Sequence, residues 1–244
     1  MKIAILLPGQ PRFTDEFNLF LKNVIGYEQA DWFCYLTGHN EDNPSPVRSV
    51  PSEWKTFDKE TGMSKLQSML PPNNFIRSFE LSDCDHAPIR KDPEWYAQWG
   101  ASLYKMWYNI YKVNQLRLNY EQTNNVQYDM VIRARSDIGF RNELDLRSID
   151  LQNLKNNIII PRNKSIGHRP FDPTLKYQMC DLFAIGCSEH MNIYCDVIHD
   201  LENYPFTQNQ ASWHPESNLG YHLVSNNVPV VRGEFNLLFR GDDN

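Results

Sequence analysis

The chain has 244 residues, of which 41% are hydrophobic and 13% aromatic, enough to bury a sizeable core, and the simplest organisation is one compact α/β domain spanning 1–244. A formal net charge of −6 argues against a general nucleic-acid or other polyanion binder. Five cysteines, with no C-x-x-C pair, suggest neither a disulfide framework nor a zinc knuckle, so a reducing, cytoplasmic setting is expected.

The opening run "KIAILL" (2–7) is continuously apolar and broken by Pro8-Gly9, which predicts a parallel strand buried on both faces and ending in a loop. It is too short for a signal-peptide core or a membrane span, and no later segment reaches eighteen uninterrupted apolar residues, so no transmembrane segment is expected. Residues 15–25 carry Phe17, Phe20, Leu21, Val24 and Ile25 at helical spacing, and "ADWFCYLTG" (30–38) reads as a second strand, giving a β-α-β start.

From 40 to 93 seven prolines punctuate a polar stretch, an irregular insertion suited to an acceptor or lid region, with room for a short helix near 60–70 and a strand at "FIRSFEL". The longest helix is predicted at about 95–122, where an aromatic stripe through Trp99, Leu103, Trp107, Ile110 and Val113 reads as core. "YDMVIRARSDIGF" (128–140) begins as a buried strand but ends in Arg133, Arg135 and Asp137. Further strands are expected at 156–161 and 179–186, followed by a helix from an Ser188 N-cap to about Asn203. A helix opened by Pro215 covers about 215–226, and "VPVV" and "FNLLFR" complete the strands.

A charged end on a core strand has two readings. Parallel α/β sheets bind ligands at the carboxyl ends of their strands, whereas alternating Arg and Asp also suit a solvated edge with a surface ion pair. Charge distribution bears on the choice: residues 133–169 hold eight basic and four acidic side chains, a local +4 against −10 for the rest. A positive region in a negative chain points to a particular anionic ligand.

Four stretches in order, "LLPGQPRF", "YDMVIRARSDIGF", "CDLFAIG" and "HPESNLGYHLVSNNVPV", resemble the GT-A type of nucleotide-diphosphosugar glycosyltransferase. Within it the chain is most similar to the capsule and lipopolysaccharide glycosyltransferase-like proteins of bacteria and large viruses, which carry Arg-x-Asp where relatives carry Asp-x-Asp. The resemblance implies a single GT-A, Rossmann-like domain with a mostly parallel central sheet flanked by helices. It also implies transfer of a hexosyl or related sugar from a donor such as a UDP- or GDP-sugar to a glycan or polysaccharide hydroxyl. Asp137 then sits at the donor or at a Mg²⁺ or Mn²⁺ ion, for which oxygen ligands are the expected donors. Arg135 replaces the first motif carboxylate; it cannot ligate a cation but pairs bidentately with phosphate, which leaves metal dependence open.

The remaining donor-binding candidates are Gly9, Gln10, Arg12 and Arg133, with Ser102 and Lys105 (and Gln98) on the long helix, where an exposed polar face is the competing account. Glu216 resembles the general base that takes the acceptor proton; alternatively it complements the helix dipole, a stabilisation of roughly 0.3–1 kcal/mol. Asp181 resembles the acidic position contacting a sugar, and a lone Asp in an apolar strand needs a partner if buried. His168, His214 and His222 lie near these motifs and read as structural. A catalytically silent nucleotide-sugar or glycan-binding protein on the same fold is the alternative function.

Overall fold

The computed structural model describes residues 1–38, 51–82, 101–162, 165–166, 169–170, 179–201 and 215–239. In chain order the first half comprises β1 (Ile3–Gly9), α1 (Asp15–Asn23), β2 (Val24–Ile25), β3 (Asp31–Leu36), α2 (Lys59–Met69), β4 (Phe75–Leu81) and α3 (Ala101–Asn124). Then follow β5 (Met130–Ala134), β6 (Ile138–Phe140), β7 (Leu144–Asp145), α4 (Leu151–Asn156), β8 (Ile158–Pro161), β9 (Ser165–Ile166) and β10 (Arg169–Pro170). The last elements are β11 (Phe183–Gly186), α5 (Ser188–Cys195), α6 (Val197–Asp200), α7 (Pro215–Ser225), β12 (Val230–Gly233) and β13 (Leu237–Phe239).

The fold is mixed α/β, built on a seven-stranded sheet ordered β12-β8-β11-β5-β1-β3-β4. Adjacent strands run parallel except at β11, which is antiparallel to both β5 and β8. The continuous apolar run of β1 is what a strand covered on two faces requires. Ile3, Ile5 and Leu7 join one core with Phe17, Phe20 and Trp32, while Ala4 and Leu6 join the other with Trp107, Ile110 and Tyr194. α3 therefore lies on the second face, and its aromatic stripe is core where it is described. No helix among the described residues is long and apolar enough to cross a membrane.

From β1 the chain moves outward to β3 and β4, then returns through α3 to place β5 on the opposite side of β1. Strand order thus reverses between β1 and β5, and in open α/β sheets the crevice at the carboxyl ends of such a pair is where ligands bind.

Two expectations from the sequence are corrected. Ser188 is not the N-cap: Cys187 takes that place, no side chain caps the helix, and the Ser188 hydroxyl meets Arg117 of α3 instead. The helix expected to run on to about Asn203 breaks at Asp196, which closes α5 and opens α6. The strand expected within "YDMVIRARSDIGF" does end among its charges. It ends at Ala134, turns through 135–137 and resumes as β6, which pairs with β13. Gly139 permits β6 to tuck against α1, since an added Cβ would lie 2.2 Å from the Glu16 carbonyl oxygen.

Candidate functional site

At the end of β1, Gly9 adopts φ +96°, a left-handed conformation that favours glycine, and the space where a Cβ would project is open to 4 Å. The loop it opens is stapled to the turn after β5. The Arg12 backbone N–H donates to Ser136 Oγ at 2.9 Å, and Ser136 Oγ donates to the Gln10 carbonyl at 2.7 Å. Side chains reinforce the staple: Arg12 Nη1 donates to Asp137 Oδ2 at 2.9 Å and Arg12 Nη2 to Gln10 Oε1 at 2.6 Å.

Asp137 receives a second guanidinium. Arg135 Nε and Nη2 donate to its Oδ1 and Oδ2, both at 2.8 Å, in the side-on fork that gives a charge-assisted pair its strength. Burial alone pushes the Asp137 carboxyl up, but the charge and hydrogen bonds of Arg135, then those of Arg12, outweigh it and hold the group below the usual carboxylate range. Arg135 remains about one-fifth exposed, with its guanidinium 5.1 Å from the centre of the Phe239 ring in β13. The strand therefore ends in three charges, two of which form one compensated unit.

The antiparallel direction of β11 delivers the carboxylates. Its register sets Phe183 against Ala134, so Asp181, two residues earlier, emerges beside the end of β5. The Met179 N–H donates to the Glu216 carbonyl at 3.1 Å, docking the first turn of α7 against the same segment. Asp181 and Glu216 are buried, and their charges interact with each other and with Arg135. Burial first, then the Asp181 charge, raises the Glu216 pKa to about 7; Arg135 opposes the rise. A carboxyl with its pKa near neutrality, held beside a basic strand end, has the proton affinity of a general base.

Arg133 lies deeper. It pairs in register with Leu6 and Ala184, is 1% exposed, and its Nε and Nη1 find no hydrogen-bond partner among the described residues. The Tyr194 hydroxyl, from α5, is likewise buried without a partner there. Burial raises the Tyr194 phenol and pushes the Cys180 thiol up to about 12, with the Arg133 charge pulling against both. Those groups stay protonated, so none of them neutralises the guanidinium.

The structure thus gathers Gly9, Gln10, Arg12, Arg133, Arg135, Asp137, Asp181 and Glu216 about the ends of β1, β5 and β11. It does not join Lys105, half-buried in the second turn of α3, to this cluster by any described contact. The side chain of Ser102, Gln98, His168 and His214 lie outside the described residues. His222 is structural: its Nε2 donates to the Ile193 carbonyl at 2.7 Å and its Nδ1 lies 2.9 Å from Asp200, tying α7 to α5 and α6. Sequence reasoning missed Ser136, Phe239 and Tyr194. Only Ser136, lying inside Arg-Ser-Asp, had a local signal.

The same geometry tests the divalent ion that the Asp-x-Asp comparison implies, and the residues do not fit it. Both Asp137 oxygens already accept from guanidinium groups, so a cation there would face two positive charges within a few ångströms. Among the described residues no three His, Cys, Asp or Glu side chains gather as a metal site. The chain matches no protein-family model and no curated protein.

Proposed function

We propose that this protein is a glycosyltransferase of the GT-A type, moving a hexosyl or related sugar from a nucleotide-diphosphate donor to a hydroxyl of a glycan acceptor. The observation that carries the reading is the burial together of Glu216, lifted to about 7, and Asp181, whose charges act on each other and on Arg135 at the end of the central strand. The reversal of strand order between β1 and β5 supports the fold assignment and gives the donor its crevice.

In this reading the acceptor oxygen attacks the anomeric carbon while its proton passes to Glu216. The bond from that carbon to the diphosphate oxygen breaks, and the nucleoside diphosphate leaves with the electron pair. Negative charge grows on the leaving group as the bond opens, and fixed guanidinium donors placed there stabilise the transition state more than the ground state. Arg135 and Arg12 are already aimed by Asp137, and Arg133 supplies an unspent donor behind them. Burial first, and the Asp181 charge second, hold Glu216 in a proton-avid state, and Asp181 offers an acceptor to a sugar hydroxyl.

The test is Glu216→Gln, which preserves shape while removing the base. Sugar transfer, or slow donor hydrolysis where no acceptor is supplied, should fall by at least about a hundredfold, because a positioned general base contributes on the order of 10²–10⁴ in rate. UDP and GDP affinity should stay within about twofold, since the base acts on the acceptor rather than the nucleotide. Equal rates in wild type and variant reject the assignment. A second reading, a silent nucleotide-sugar or glycan-binding protein, is favoured by the arginine at position 135 and gains if wild type turns over no donor that it binds.

A further inference from the structure

Resting on that reading, we infer that the diphosphate is bound without a divalent cation, by a two-arginine clamp in which Asp137 is the positioning residue rather than a metal ligand. The geometry assigns each part. A carboxylate that ligates a hard cation must turn a lone pair toward it, and the cation needs several further oxygens around it. The Asp137 side chain, 1% exposed, instead accepts from Arg135 Nε, Arg135 Nη2 and Arg12 Nη1.

Arg12 is held a second time by Gln10, and its backbone by Ser136, so the guanidinium has little rotational freedom left to lose on binding an anion. Arg135 is fixed by its fork on one side and lies against the Phe239 ring on another. Its Nη1 is the nitrogen not engaged by Asp137. A planar guanidinium locked in this way presents donors to phosphate oxygens with pre-set direction, the service a metal ion would otherwise provide as a charge. Asp137 offsets one of the two guanidinium charges, and Asp181 acts on Arg135 as well.

Ligand-free protein gives the first readout. Free Mn²⁺ measured by electron paramagnetic resonance should be undiminished by wild type, whereas Arg135→Asp, which sets a second carboxylate beside Asp137 and removes one guanidinium, should take up the ion. Calorimetric titration with UDP and with GDP gives the second. Wild-type affinity in EDTA should lie within about twofold of that in Mn²⁺, and Arg135→Ala should weaken it by about ten- to a hundredfold in either condition, as loss of a charge-assisted hydrogen bond implies.

Asp137→Asn separates positioning from ligation. A positioning role predicts the same loss of UDP or GDP affinity with and without Mn²⁺, while a metal-ligand role predicts loss only of the part that Mn²⁺ adds. Wild-type binding that disappears in EDTA and returns with Mn²⁺ overturns the inference. So does Mn²⁺ uptake by ligand-free wild type that Asp137→Asn abolishes. Failure to bind any nucleoside diphosphate in either condition instead defeats the nucleotide-sugar reading, and the Mn²⁺ measurement still decides the ion.

Discussion

Arg117 and Arg133 are buried on the same side of the central sheet, close enough together that both charges act on Cys195, yet the protein treats them oppositely. Arg117 of α3 donates to Asn114 Oδ1 through Nε at 3.0 Å and Nη2 at 2.7 Å, and to Glu121 at 2.7 Å through Nη1. Ser188 and Asn192 of α5 accept from it as well. Arg133 has two nitrogens without a hydrogen-bond partner among the described residues. The fold evidently contains what is needed to satisfy a buried guanidinium, and it spends those groups where two helices meet. Leaving a second one unspent at the end of the central strand costs stability, the usual mark of a group reserved for a ligand.

The strongest way to break this comparison is to remove the satisfied arginine. Arg117→Met strips the counter-charge from Glu121 and leaves amide and hydroxyl groups of α3 and α5 without their donor. Losing one partner of a buried ion pair costs about 3–5 kcal/mol, so urea unfolding should show a loss of that size. A loss below about 1 kcal/mol would mean that the network is ornamental and that the contrast with Arg133 carries no energetic meaning.

The second expected effect is in pH dependence, where Glu216 and Asp137 act with opposite sign. Glu216 has a raised pKa, so between about 4.5 and about 7 the folded protein holds a proton that the unfolded chain releases. Its contribution to stability is therefore full below about 4.5 and is lost as pH rises through about 7, on the order of 3 kcal/mol for a shift of this size. Asp137 is depressed: its contribution is present above the ordinary aspartate range and is lost as pH falls through its lowered value. Unfolding free energy measured from pH 4 to 8 should decline between about pH 4.5 and about 7 in wild type and level off above, and Glu216→Gln should flatten that decline. A wild-type curve already flat over this range would show that Glu216 is not held in the environment described.

How much of this was legible in the sequence follows from which signals are local. β1 and β5 announce themselves as apolar runs bounded by Pro-Gly and by charge, and the stripe on α3 repeats at helical spacing, so the two cores were readable. Asp181 and Glu216 were each visible singly, but their convergence depends on β11 running antiparallel, a pairing fact that no short-range pattern encodes. Arg117 gave no signal, since an arginine facing a helix neighbour 71 residues away in Ser188 looks like any solvated cation. Phe239 was placed on a strand, but the partner β6 that sets its ring over Arg135 lies about a hundred residues earlier. The break at Asp196 has no glycine or proline to mark it. Asp137 was legible as a site residue, and the Arg-x-Asp motif itself names Arg135 beside it; that Arg12, from the loop after β1, also reaches the carboxylate depends on a contact 125 residues apart that no local pattern encodes.

The smallest stability effect, and the most informative, is expected at Arg133. Met matches much of the arginine stem in volume and carries no charge, so Arg133→Met removes a buried cation without opening a large cavity. Exchange of a poorly compensated buried charge for an apolar side chain should leave the protein between unchanged and about 2 kcal/mol more stable in urea, the opposite direction from Arg117→Met. Affinity for UDP or GDP should meanwhile fall by about ten- to a hundredfold, as expected when a charged donor to phosphate is deleted. Stability and binding then move in opposite directions at one residue, the trade expected of a group kept for function. If Arg133→Met unfolds as readily as Arg117→Met, Arg133 is a structural residue and the distinction between the two arginines collapses. If stability rises while nucleotide affinity is unchanged, the buried cation serves some other anion, and the donor is held by Arg12 and Arg135 alone.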